Sequence, residues 1–209
     1  MKKLLYLSIC ILSVISISCN SQSKDQAEII EVFNTVNTAA SQRNGQVIYN
    51  NLTTEAIKYY EAMLVKVNDR NISGTITDKM NMTTALILFS REELKNMDAK
   101  SFIISLYDNS IVDEEKQNAI NAAKLGSIKI TGDDAVAALG PMDAIDFKKE
   151  DGKWKFNILS LLRPSNRLFG QFKTDNNLSD KDIIEAFLLS NEALMKNTKL
   201  PVDSILPLL

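Results

Sequence analysis

Ser127-Ile128-Lys129-Ile130-Thr131-Gly132-Asp133-Asp134-Ala135-Val136-Ala137-Ala138, and shortly after it Ile145-Asp146-Phe147-Lys148-Lys149-Glu150-Asp151-Gly152-Lys153-Trp154-Lys155-Phe156-Asn157-Ile158, decide the fold of this chain. In both runs apolar side chains recur every second residue, the period of a strand with one face packed. Ile128 and Ile130 share one face, Val136 and Ala138 alternate after the first turn, Ile145 and Phe147 share a face, and Trp154, Phe156 and Ile158 share another. Gly132-Asp133 reads as a hairpin turn. Asp151-Gly152 is the strongest short hairpin signal in the sequence. Four antiparallel strands in a meander follow, one face wet and one packed. Lys148, Lys149, Lys153 and Lys155, interleaved with Asp146, Glu150 and Asp151, read as a solvated face.

Upstream the period lengthens to that of a helix. From Glu28, the residues Ile29, Ile30, Phe33, Val36 and Ala40 form one apolar face that stops at Asn44-Gly45. Thr53 or Thr54 caps a second helix carrying Ile57, Tyr60, Ala62, Met63, Leu64 and Val67. A third runs through Met80, Met82, Ala85, Leu86, Ile87 and Leu88. Ser90 and Glu93 form a capping box, and Phe102, Ile103, Leu106 and Tyr107 continue the pattern. Asp113-Glu114-Glu115 starts a short helix that ends near Gly126. Downstream, Arg163-Pro164 breaks the sheet. A helix then follows through Leu168, Phe169 and Phe172, and Ser179 to Asp182 cap a last one with Ile183, Ile184, Phe187, Leu188, Leu194 and Met195. The apolar tail 200–209 is expected to dock on the body.

The N-terminus reads differently. Lys2 and Lys3 precede an apolar run over residues 4–17, then Ser16-Ile17-Ser18, Cys19 and a polar stretch. This order is that of an export signal, and the run is shorter than the roughly 20 residues of a spanning helix. Two readings of the processing site fit. Ser16 and Ser18 suit ordinary secretory cleavage, and the same residues before Cys19 resemble a lipobox, with Cys19 as the lipidated residue. The expected organisation is a signal peptide over 1–18, a polar tether over 19–27, an α+β domain over 28–160 and a helical C-terminal extension over 161–209 packed on it. Lipidation by two or more acyl chains anchors a protein stably. The resemblance implies an outer-membrane lipoprotein facing the periplasm, with free secretion as the alternative.

Composition narrows the chemistry. The chain has no histidine and two cysteines, of which Cys10 lies in the leader. Ser-His-Asp and Cys-His catalysis and His/Cys zinc sites are therefore excluded. No phosphate-binding glycine loop or calcium loop is present, and no cofactor, metal site or catalytic residue is assigned. The leader takes two of the 24 basic residues and none of the 26 acidic ones. The acidic remainder is a poor partner for nucleic acid.

Gly132-Asp133-Asp134-Ala135-Val136 and Asp146-Phe147-Lys148-Lys149-Glu150-Asp151-Gly152-Lys153-Trp154-Lys155-Phe156 together resemble the paired hairpins of the NTF2-like superfamily. The resemblance covers roughly residues 26–160. It implies a cone, a curved sheet wrapped by helices around a pocket, in a family of isomerases, dehydratases and many non-enzymatic binding modules. The His-Asp dehydratase site is excluded here, and no isomerase position carries over.

Within that frame Tyr59, Tyr60 and Tyr107 are candidate hydrogen-bond donors to a ligand, with packing as the plainer reading. Trp154 reads as core. Met80 and Met82 read as core filling rather than a soft metal site. Asp133-Asp134 and Glu114-Glu115 read as turn and helix-start acids. Four N-x-[ST] triplets, at Asn51, Asn71, Asn81 and Asn177, read as chance. The expected function is a lipid-anchored, non-enzymatic envelope module whose partner is an envelope protein or a small apolar ligand. The alternatives are a Tyr/carboxylate isomerase and an assembly factor docking through residues 161–209.

Overall fold

Asn44 both ends one helix and begins the next. In the computed structural model, which describes residues 23–110, 117–118, 122–140 and 143–190, α1 spans residues 23–41. Arg43 turns left-handed at φ 54°. The Asn44 and Arg43 amides donate back to Ala39 and Ala40, a Schellman ending with arginine in the usual glycine place. The Asn44 side chain then accepts from Val47 N at 3.1 Å and starts α2, Gly45–Asn51. The expected stop is thus a junction. Gly45 is the first residue of a helix that the sequence reading lacked.

Caps set the next boundaries. Thr53 caps α3, Thr54–Asn68, and Glu150 from the sheet accepts from the Thr54 amide and hydroxyl. Thr75 and Asp78 form a reciprocal box at the start of α4, Ile76–Leu88. Ser90 and Glu93 do the same for α5, Arg91–Asn96, as expected. Asp98 caps α6, Ala99–Asp108.

The chain is α+β. Strands β1 Leu125–Thr131, β2 Asp134–Leu139, β3 Asp143–Glu150 and β4 Lys153–Asn157 form an open antiparallel sheet in the order 1-2-3-4. Its packed face carries Ala135 opposite Phe147, Phe147 opposite Phe156, and Ala137 opposite Ile145. All five are buried, and the two rings meet edge-on at 5.6 Å. Val136 and Ala138 therefore lie on the other face, and Val136 is 46% exposed. The tight turn pairs Thr131 with Asp134, which fixes the parity of β2. The alanines leave room for the opposing rings. Trp154 and Phe156 are buried as expected. Ile158 is not in β4. The Asn157 side chain accepts from Leu159 N and turns the chain into a 3-10 turn, Ile158–Leu161.

Arg163 and Pro164 are not what breaks the sheet, which has already ended at Asn157. They lie in the first turn of α7, Leu162–Asn176, where a missing N–H is tolerated. No residue of α7 is buried, and Leu168 and Phe172 are exposed. The following helix α8, Asp180–Ser190, does enter the core through Ile183, Ile184 and Leu188. Asp180 accepts from Lys79 at 2.8 Å and Lys173 at 2.6 Å, which ties α8 to α4 and α7. The start of the helix expected at Asp113–Glu115 and the tail 200–209 lie outside the described residues. Gly126, its expected end, is in β1.

Residues 23–27 of the expected tether are part of α1. The Asp25 carboxylate accepts from Lys149 Nζ at 2.7 Å and from Trp154 Nε1 at 2.9 Å. Lys149 lies opposite Trp154 and shares its face, so it is not on the solvated side. Lys155 lies opposite Lys148 on the solvated face, where its ammonium donates to the Asn50 carbonyl. Lys148 and Lys153 are exposed as read. The bond from Lys149, aided by that from Trp154, holds the Asp25 carboxyl below its ordinary 3.8. Asp25→Ala should cost about 1–2 kcal/mol in urea unfolding, the worth of one charge-assisted bond discounted for partial exposure. A depressed carboxyl contributes above its unfolded pKa and loses that contribution as pH falls through its folded one. The deficit is therefore full at neutral pH and closes below pH 3.8. A deficit independent of pH would mean that the ion pair is not its source.

Candidate functional site

Tyr59 and Tyr60 are neighbours on α3, so their side chains leave the helix about 100° apart. Each meets a different helix. The Tyr60 hydroxyl is 2.8 Å from that of Tyr107 on α6. The Tyr59 hydroxyl donates to Asp78 on α4 at 2.6 Å. The rings of Tyr59 and Tyr60 pack edge-on at 5.4 Å, and those of Tyr60 and Tyr107 at 6.4 Å. The three tyrosines singled out in the sequence thus form one cluster. It sits among helices and not beneath the sheet.

Two hollows flank the cluster. One of about 180 Å³ is lined by Tyr60, Met63, Asn81, Thr84, Leu106, Tyr107 and Ser110. A narrower cleft of about 60 Å³ lies between Tyr59, Met63, Lys66, Asp78 and Met82. The first joins an apolar wall, Met63 and Leu106, to hydroxyl and amide groups at 81, 84 and 107. That mixture suits a small ligand with one polar end. A wider, shallow groove of about 530 Å³ runs along α1 past Ile30, Thr38 and Val47.

The electrostatics point away from proton transfer. Burial pushes the Asp78 carboxyl up, but donation from the Tyr59 hydroxyl and from Thr75 outweighs it and holds the group below 3.8. Asp78 is therefore charged and occupied by its cap. Burial raises Tyr59, and its bond to Asp78 raises it further. Burial likewise raises Tyr60 and Tyr107. All three phenols stay neutral at ordinary pH and act as hydrogen-bond groups. Met80 and Met82 are both buried in the core. No three His, Cys, Asp or Glu side chains among the described residues stand together as metal ligands.

No family model, curated protein or solved structure matches the chain.

The site therefore rests on its geometry alone. Ser110 and Asp78 do not figure in the sequence reading, and Asn81 figures there only as the start of a chance N-x-[ST] triplet. Asp78 had a signal, because Thr75-x-x-Asp78 at a helix start is a capping pattern, and a capping carboxylate stands within one turn of everything packed there. Asn81 and Ser110 had none. Cys19 and the leader lie outside the described residues. Among the described residues no helix is long and apolar enough to cross a membrane.

Proposed function

We propose that this protein is a lipid-anchored envelope module that binds a small ligand without transforming it, through the hollow between Tyr60 and Tyr107. The anchor rests on Cys19 and the charged, apolar and small-residue segments before it. The observation that carries the binding reading is the hydroxyl pair at 2.8 Å on the wall of a 180 Å³ hollow whose lining holds no carboxylate. One of the two hydroxyl protons must point away from the shared bond, so the pair still offers a donor. The ligand class that fits is a small molecule with a carbonyl or hydroxyl at one end and an apolar body against Met63 and Leu106. The order of helices and then meander, with Trp154 and Phe156 on the packed face, supports the NTF2-like cone as the finer fold. Each of the three hollows described above is lined by residues of the helices and their ends, which favours the helical layer over the cone as the binding site.

An isomerase would need a carboxylate of raised pKa facing a tyrosine. Asp78 faces Tyr59 and is held low. An assembly factor docking through residues 161–209 has the exposed Leu168 and Phe172 in its favour. Against it stand Ile183, Ile184 and Leu188, which belong to the shared core.

Native mass spectrometry of protein extracted gently from its own membranes tests the proposal. The expected result is lipid mass on Cys19 together with a small-molecule adduct. Tyr107→Phe should weaken that adduct about tenfold, the worth of one hydrogen bond, and leave the lipid mass unchanged. A co-extracted polypeptide with no small molecule would overturn the pocket in favour of the assembly reading.

A further inference from the structure

We infer that the end of the sheet carrying the two tight turns, residues 132–133 and 151–152, faces the membrane at close range. This rests on the reading of Cys19 as the lipidated residue.

The inference starts from the clamp on α1. Asp25 lies in the first turns of that helix and is held by Lys149 at 2.7 Å and Trp154 at 2.9 Å. The Gln26 side chain donates to the Ile128 carbonyl at 3.5 Å. The first turn of α1 is thereby fixed to β1, β3 and β4. The meander places both tight turns at this same end, because Asp134 pairs with Lys148 and Glu150 pairs with Lys153. The Lys149 amide also donates to the Asp133 carbonyl at 2.7 Å, which draws the two turns together.

Chain length does the rest. Four peptide steps separate Cys19 from Ser23, the first described residue of α1. Fully extended they span at most about 14 Å. An acylated cysteine sits at the boundary of headgroups and acyl chains, so the clamped end cannot stand farther from that boundary than this reach. With the tether expected over 19–27, twice as long and unattached, the body would tumble freely. The clamp removes that freedom. The surface presented is mixed in charge, with exposed Asp133, Asp134 and Asp151 beside exposed Lys148 and Lys153. It fits a zwitterionic headgroup layer and needs no anionic lipid. α1 then carries the chain about 27 Å from Ser23 to its far end near Gln42, and the helix axis becomes a ruler between a membrane-near and a membrane-far position.

The test uses the processed, full-length protein in phosphatidylcholine vesicles doped with a nickel-chelating lipid. Acylated Cys19 has no free thiol and Cys10 leaves with the leader, so a spin label can be placed at one new site at a time. The sites are Lys153→Cys at the turn end and Gln42→Cys at the far end of α1, both exposed. Mass spectrometry first establishes the lipid on each protein. The expected result is relaxation enhancement by the nickel lipid several-fold larger at 153 than at 42. Inserting about ten glycine and serine residues between Gln22 and Ser23, a flexible spacer, should bring the value at 153 down to that at 42. Lipid mass with equal enhancement at the two sites, or a spacer without effect, overturns the orientation and leaves the anchor standing. Absence of lipid mass overturns the anchor itself, and the orientation with it.

Discussion

Gly45→Ala should lower the unfolding free energy by about 2–3 kcal/mol, although alanine is the better helix former. A β-carbon at this position would lie 2.3 Å from the Ile104 carbonyl oxygen and 2.7 Å from the Ile104 α-carbon. Those are backbone atoms of α6 and cannot rotate aside. Gly45 is buried, and its N–H donates to the Asp108 carboxylate at 2.7 Å. Separating α2 from α6 to admit a methyl group would therefore also stretch a charge-assisted bond. Overpacking of this kind costs about 1–3 kcal/mol, sometimes more, and the lost bond adds to it. Helix propensity returns at most about 1 kcal/mol. Gly170→Ala in α7 is the contrast, since nothing lies within 4 Å of its would-be β-carbon. There propensity acts alone and the change should stabilise by about 0.5–1 kcal/mol. Urea unfolding of both proteins decides. A stabilised Gly45→Ala would mean that α2 and α6 are not in this contact. Ile104 precedes Tyr107 by three residues, about one turn, so the same substitution should also disturb the tyrosine cluster. Its near-ultraviolet circular dichroism should change, and that of Gly170→Ala should not.

What the sequence made legible was local. The strands were readable because two-residue turns and a period of two report each other, and Trp154 and Phe156 fell on the packed face for that reason. The face of β2 was misread because Val136 looks more like core than Ala135 does. Register, not side-chain preference, decides the face of a strand. α2 was hidden because Asn44-Gly45 is a legitimate helix stop. Only the close approach of Ile104 shows why a glycine opens a new helix there. Asp25 looked like one more polar residue in a tether. Its partners lie more than a hundred residues away, beyond any local pattern. The tyrosines were visible one by one, but their convergence needs α3 and α6 to cross, a contact 47 residues apart in sequence. Ser110 joins the site only through that crossing, and Asn81 only through the packing of α4 on α3.

The same crossing should make the protein unusually sensitive to alkali. Burial raises Tyr59, Tyr60 and Tyr107 above the ordinary 10.0, and for Tyr59 the adjoining Asp78 charge adds to it. Above that pH the unfolded chain releases phenol protons that the folded chain keeps. Stability then falls by about 1.4 kcal/mol per pH unit for each tyrosine that lags, a ceiling of about 4 for the three. Lys149, raised chiefly by its bond to Asp25, adds a loss of the same sign above 10.5. The stability these groups confer is thus complete at neutral pH and disappears as pH rises through their folded values. Urea midpoints measured from neutral pH upward should fall steeply beyond pH 10, and tyrosinate absorbance should rise together with the loss of helical circular dichroism. The double variant Tyr60→Phe with Tyr107→Phe removes both ends of one buried bond, a change that is nearly neutral at ordinary pH. It should leave the alkaline slope to Tyr59 and Lys149. If tyrosinate for all four phenols that remain after the leader is removed, Tyr49, Tyr59, Tyr60 and Tyr107, appears near pH 10 while the helical signal persists, the cluster is open to water and the hollow beside it is no binding site. If ionisation waits for unfolding, the hydroxyl pair is held neutral and dry, the condition under which a single hydrogen bond to a ligand is strong enough to select it.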